Sequence, residues 1–127
     1  MNIGILAVQG AFIEHENMLQ SLGVSCREIR QKKDLVGIDG IILPGGESTV
    51  QSLLLAKLEL FEPLKELIDG GLPVLATCAG LILIAPHLED TPTCHLGTLP
   101  VTVKRNAYGR QLASFHRISP VGDIDAF

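Results

Sequence analysis

Cys78 lies in a segment whose residue types and spacing suit a nucleophile. The segment reads Val74-Leu75-Ala76-Thr77-Cys78-Ala79-Gly80-Leu81-Ile82, an apolar run, then small-x-Cys-x-Gly, then a second apolar run. A strand that turns sharply into a helix displays the residue at the bend, an arrangement usually built around serine. The sharpness requires small residues two before and two after the nucleophile, and Ala76 and Gly80 meet that requirement. The thiol would stand at a helix N-terminus, where the helix dipole favours thiolate over thiol. The Ala79 N–H would point to the same place and could hold an oxyanion. The bend alone leaves two readings open, an activated nucleophile and an inert packing cysteine.

A second candidate is Pro44-Gly45-Gly46-Glu47-Ser48-Thr49. Two glycines after a strand let backbone approach a ligand closely, and their N–H groups can form an anion-binding nest. The plainer alternative is a strand-to-helix turn capped by Ser48 or Thr49. A phosphate loop is a poor fit, because the G-x-x-x-x-G-K-S/T pattern is absent.

Alternating elements must position these turns. Residues 3–8 read as a buried strand, 11–22 as a helix that Gly23 can cap, 24–29 as a second strand and 38–43 as a third. Helices are predicted over about 49–58 and 62–69, with Gly70-Gly71 ending the latter. Residues 73–77 form a fourth strand and 79–85 the next helix. Residues 99–104 alternate like a strand, with 112–116 as a possible partner. Strand–helix alternation predicts a mainly parallel sheet with helices on both faces. Function in such sheets gathers at the carboxyl ends of the strands. Gln9-Gly10, Pro44 to Ser48 and Cys78 to Gly80 all fall there.

Composition agrees with that class. At 127 residues the chain has room for one core, and with 46% hydrophobic but 4% aromatic residues that core is aliphatic, as buried parallel strands require. The net charge of −4 and scattered Lys and Arg give no basic stripe for a nucleic acid. No apolar run is long enough to cross a bilayer, and no signal peptide is visible. Cys26, Cys78 and Cys94 form no C-x-x-C, which disfavours a disulfide framework or zinc site and fits a reducing cytoplasm.

Three segments occur in order: L-P-G-G-E-S-T at 43–49, T-C-A-G-L-I at 77–82 and R-N-A-Y-G-R-Q at 105–111, with Gln9-Gly10-Ala11 and Glu14-His15 before them. Together they resemble the glutaminase subunits of pyridoxal 5′-phosphate synthase, which are class I (triad-type) glutamine amidotransferases. The resemblance runs from Met1 to about Phe115. It implies a flavodoxin-like three-layer α/β/α fold with a mainly parallel sheet, truncated at its C-terminus. It implies hydrolysis of L-glutamine through a thioester on Cys78, with ammonia passed to a synthase subunit and no cofactor or metal. Gly46, Glu47 and Ser48 match the glutamine-binding turn. Gly46 and Ala79 N–H groups match the oxyanion hole, and Arg105 matches a glutamine-contacting arginine able to pair with the substrate carboxylate. A related amidotransferase, such as the glutaminase of imidazole glycerol phosphate synthase, and a docking module without catalysis are the alternatives.

The resemblance also implies a base, a His-x-Glu pair on a late strand whose spacing of two puts both side chains on one face. His116 follows Ser114-Phe115, but Ile118 stands where the carboxylate should be. His15 falls in the first helix, as a structural or interface residue, and His95 in a loop. The pair is therefore expected beyond Phe127, and the chain as given is expected to be inactive. The segment 11–17 and the turn 45–49 are expected to face the synthase subunit.

Overall fold

The computed structural model describes residues 1–88, 96–104, 107, 118–121 and 124–126. Its elements are β1 (Asn2–Leu6), α1 (Phe12–Ser21), β2 (Ser25–Ile29), a 3-10 turn (Lys32–Leu35), β3 (Gly40–Leu43), α2 (Ser48–Lys57), α3 (Phe61–Asp69), β4 (Val74–Ala76), α4 (Ala79–Ile84), β5 (His87–Leu88), β6 (Thr102–Val103), β7 (Ser119–Val121) and β8 (Ile124–Ala126). The first four strands form one parallel sheet in the order β2-β1-β3-β4. This is the flavodoxin-like order, with β1 and β3 flanking the switch point where the connections reverse direction.

The register decides which side chains share a face. Leu6 is opposite Ile29, Ile41 opposite Val74 and Leu43 opposite Ala76. That face meets Leu55 of α2, Leu64 of α3 and Leu83 of α4 in the main core. Ile3, Ile42 and Leu75 point to the other face, where Leu19 and Leu22 at the end of α1 line a groove beside them. Helices thus lie on both faces, and Ile5, Leu6, Ile41 and Leu43 are all buried, as a central parallel strand pair requires. Coverage is uneven. Leu75 is 55% exposed and Leu22 67%, and α1 contains no buried residue despite its apolar periodicity.

Two helices end alike on a glycine. After α1, Gly23 (φ +68°) donates to Gln20 O at 3.0 Å and Val24 to Leu19 O at 2.9 Å. After α3, Gly71 (φ +96°) donates to Ile68 O at 2.9 Å and Leu72 to Leu67 O at 3.0 Å. Both are Schellman closures, which need a left-handed residue where glycine carries no Cβ penalty.

Two expectations need correction. Neither Ser48 nor Thr49 caps α2. Glu47 does, its carboxylate accepting from Thr49 N–H at 3.2 Å and Val50 N–H at 2.7 Å. The strand over 99–104 shrinks to Thr102–Val103, paired parallel with β5. Leu99 N–H donates instead to Ile84 O at 3.0 Å, and Val101 N–H turns back to Leu99 O at 2.7 Å across Pro100. The hairpin of β7 and β8 was not foreseen. The segment 112–116 lies outside the described residues.

Leu43→Ala should lower the unfolding free energy by about 2–5 kcal/mol, because it opens a cavity in a fully covered strand. Val36→Ala, at a site 71% exposed, should stay within about 0.5 kcal/mol. Urea denaturation of the two variants checks the contrast.

Candidate functional site

The three strand-end turns meet at one edge of the sheet. Cys78 follows β4 with φ +49° and ψ −107°, a left-handed conformation that β-carbon-bearing residues seldom adopt. The chain is held on both sides of it. Thr77 N–H donates to Leu43 O at 3.0 Å, Gly80 N–H to Thr77 O at 2.8 Å, and Leu81 N–H to Cys78 O at 3.1 Å. A Cβ on Gly80 would collide with the Leu43 carbonyl, so even alanine is too large there. The requirement for a small residue two places after the nucleophile is therefore met by backbone-to-backbone contact. The Cys78 side chain does not cap α4, and Cys78 is exposed.

The glycine turn lies against this bend. A Cβ on Gly45 would come within 3.4 Å of Cys78 Cβ. One on Gly46 would reach Gln9 Oε1 at 2.5 Å and Gln51 Nε2 at 2.9 Å, which explains a glycine at that position. Ala11 N–H, just before α1, donates to Gly45 O at 2.9 Å. The peptide is trans, so the Gly46 N–H points away from that loop. Among the described residues neither the Gly46 N–H nor the Ala79 N–H has an acceptor.

Sequence reasoning missed a clamp between the turns. Gln51 is fully buried, and its Nε2 donates to Gln9 O at 3.0 Å and Pro44 O at 3.2 Å. Gln9 Oε1 in turn accepts from Glu47 N–H at 2.9 Å. Gln51 Oε1 is buried without a partner among the described residues. No motif signals Gln51. Only its place on the inner face of α2, one turn after Glu47, could have drawn notice.

Of the predicted site residues, Cys78, Ala79, Gly46 and Glu47 come together at this edge, while Ser48 is buried at 3% exposure. Arg105, His95, His116 and Cys94 lie outside the described residues. The expectation that the chain holds no His-x-Glu pair is corrected by the sequence itself, since His87-Leu88-Glu89 is one. His87 is exposed in β5, at the far end of α4 from the thiol. Among the described residues no hydrogen bond joins it to Cys78. His15, read as structural, places Nε2 3.4 Å from Thr77 Oγ1. Burial pushes the Cys26 thiol above its ordinary range, and the Glu16 carboxylate adds to the shift. Among the described residues no three of His, Cys, Asp and Glu gather as metal ligands.

Sheet order, bend and glycine turn define a glutamine amidotransferase-like α/β domain. A solved glutamine amidotransferase superposes with a TM-score of 0.84 at 38% identity, over 91% of this chain and 62% of that one. Residues 5–127 match the SNO glutamine amidotransferase family, and the chain belongs to that family. Relatives named pyridoxal 5′-phosphate synthase subunit PdxT are 60% identical in Desulfitobacterium hafniense (strain DSM 10664 / DCB-2), over 98% of this chain and 63% of the relative. The one from Methanocorpusculum labreanum is 59% identical over 94% and 64%, and the one from Corynebacterium jeikeium 51% over 98% and 65%. The chain thus spans 63–65% of the length of these curated relatives.

Gly80→Ala should destabilise the fold by at least the upper end of about 1–3 kcal/mol, because backbone must move to admit the methyl group. Gly23→Ala, with open space around it, should cost only about 1–2 kcal/mol for its left-handed φ. Thermal melts of both variants test the difference.

Proposed function

We propose that Cys78 is the nucleophile of a glutaminase that hydrolyses L-glutamine to L-glutamate and ammonia. The observation that carries this is an exposed thiol on a left-handed bend beside two N–H groups, of Gly46 and Ala79, that have no acceptor among the described residues. The thiolate attacks the side-chain amide carbon and the carbonyl oxygen becomes an oxyanion held by those two N–H groups. Ammonia leaves as the C–N bond breaks and its nitrogen takes up the proton the thiol gave up, and water then cleaves the thioester to release glutamate.

Gly46, Glu47, Ser48 and Arg105 form the substrate-binding set. The Glu47 carboxylate already holds two helix N–H groups, but a carboxylate offers about four acceptor sites and can share with a substrate ammonium. Ser48 is buried and contributes through the backbone of the turn. Ammonia is delivered to a pyridoxal 5′-phosphate synthase subunit in the cytoplasm, a partner supported by the names of the relatives. Segment 11–17 and turn 45–49 face that partner. Support comes from exposed Ile13, Glu14 and Asn17 and from the Ala11 N–H bond to Gly45, which ties helix to turn. Among the described residues no group hydrogen-bonds the Cys78 thiol. A docking module without catalysis is the second reading.

Iodoacetamide at neutral pH should alkylate Cys78 faster than Cys26, whose raised pKa leaves it mostly as thiol. Peptide mapping over a time course measures both rates, and equal rates in folded protein would remove the activated-thiol claim.

A further inference from the structure

Helix α1 reaches the candidate site twice. Ala11, just before its first turn, holds the Gly45 carbonyl at 2.9 Å. One turn further, His15 Nε2 lies 3.4 Å from Thr77 Oγ1 in a part-buried contact. The pair shares one hydrogen bond, either the ring N–H donating to the hydroxyl oxygen or the hydroxyl donating to a bare ring nitrogen. Thr77 immediately precedes the nucleophile, so its conformation sets the direction from which the chain enters the bend. Its backbone is fixed by β3 at the N–H and by the first turn of α4 at the carbonyl, at 3.0 and 2.8 Å. Neither bond restrains its side chain, and the His15 contact does.

A left-handed, non-glycine residue persists only where its surroundings over-determine it. The two backbone bonds anchor the peptide to one side of the sheet, through β3 and α4. The hydroxyl is the anchor to α1, on the other side. We propose that His15 is a positioning residue for Cys78, acting through the Thr77 hydroxyl to hold the bend that presents the thiol. This rests on the reading of Cys78 as the nucleophile. The same helix then steadies both halves of the site, the glycine turn through Ala11 and the bend through His15. A change in α1 reaches the thiol and the oxyanion donors together.

The test measures iodoacetamide alkylation of Cys78 in the 127-residue chain, with Cys26 as internal reference. His15→Ala should lower the Cys78-to-Cys26 rate ratio roughly 2- to 10-fold, the range expected for losing one neutral hydrogen bond. Thr77→Val, which keeps the shape and removes the hydroxyl, should lower it equally. The double variant should lose no more than either single one, as members of one interaction do. His15→Gln, with an amide nitrogen near the position of Nε2, should recover most of the ratio. A merely structural role would instead loosen the fold, raise Cys26 labelling and ignore the choice of Gln. Unchanged ratios in His15→Ala and Thr77→Val, or fully additive losses in the double variant, would overturn the inference. Failure of the nucleophile reading shows separately, as equal labelling of Cys78 and Cys26 in the unaltered chain.

Discussion

The whole site hangs on one contact, the Leu43 carbonyl pressed against Gly80. It leaves no room for a Cβ, so α4 can start close behind β3 only because position 80 has no side chain. That closeness forces the sharp bend, and the bend puts Cys78 at φ +49°. The cost of this conformation is met by the bonds on either side, Thr77 N–H to Leu43 O and Gly80 N–H to Thr77 O. Leu43 therefore acts in both core and site. Its side chain is fully buried, and its carbonyl accepts the N–H of the residue before the thiol.

A second layer of constraint joins the turns to each other. Gln51 bonds the Gln9 and Pro44 carbonyls, Gln9 bonds Glu47, and Ala11 bonds Gly45. All but the Gln51–Pro44 bond cross from one strand end to another, so the glycine turn cannot shift without disturbing the loop that begins α1. A catalytic constellation needs placement of this kind, because donors aimed at a developing charge work only if they are already in position. An open groove beside Ile3, Leu19, Leu22 and Leu75 contrasts with this closed end of the sheet. The tightly bonded part of the domain is the edge that holds the thiol.

Much of this was legible in the sequence because local rules and tertiary demands agree. The apolar runs at 3–8 and 38–43 become central strands, and Gly23 and Gly71 end their helices as left-handed closures. Ala76-x-Cys78-x-Gly80 announces the bend through residue size alone. The failures have physical causes as well. Glu47 displaced Ser48 and Thr49 as the cap because its longer side chain folds back onto two N–H groups. Alternation at 99–104 suggested a strand, but Pro100 has no N–H to offer a ladder and the chain turns there. Gln51 and the His15–Thr77 contact join residues 42 and 62 positions apart, which no local pattern reveals. His87-Leu88-Glu89 shows the opposite hazard, a spelling that fits a catalytic pair although the whole of α4 stands between His87 and the bend in the chain.

Protection by substrate tests the central claim most directly. A glutamine analogue bearing an electrophile in place of the side-chain amide is incubated with the folded chain, with and without excess L-glutamine, and modification of each cysteine is followed by peptide mass. The account predicts that the analogue modifies Cys78 in preference to Cys26, that L-glutamine slows the modification of Cys78, and that D-glutamine does not. Modification of Cys78 that proceeds at the same rate whatever the glutamine concentration would contradict it.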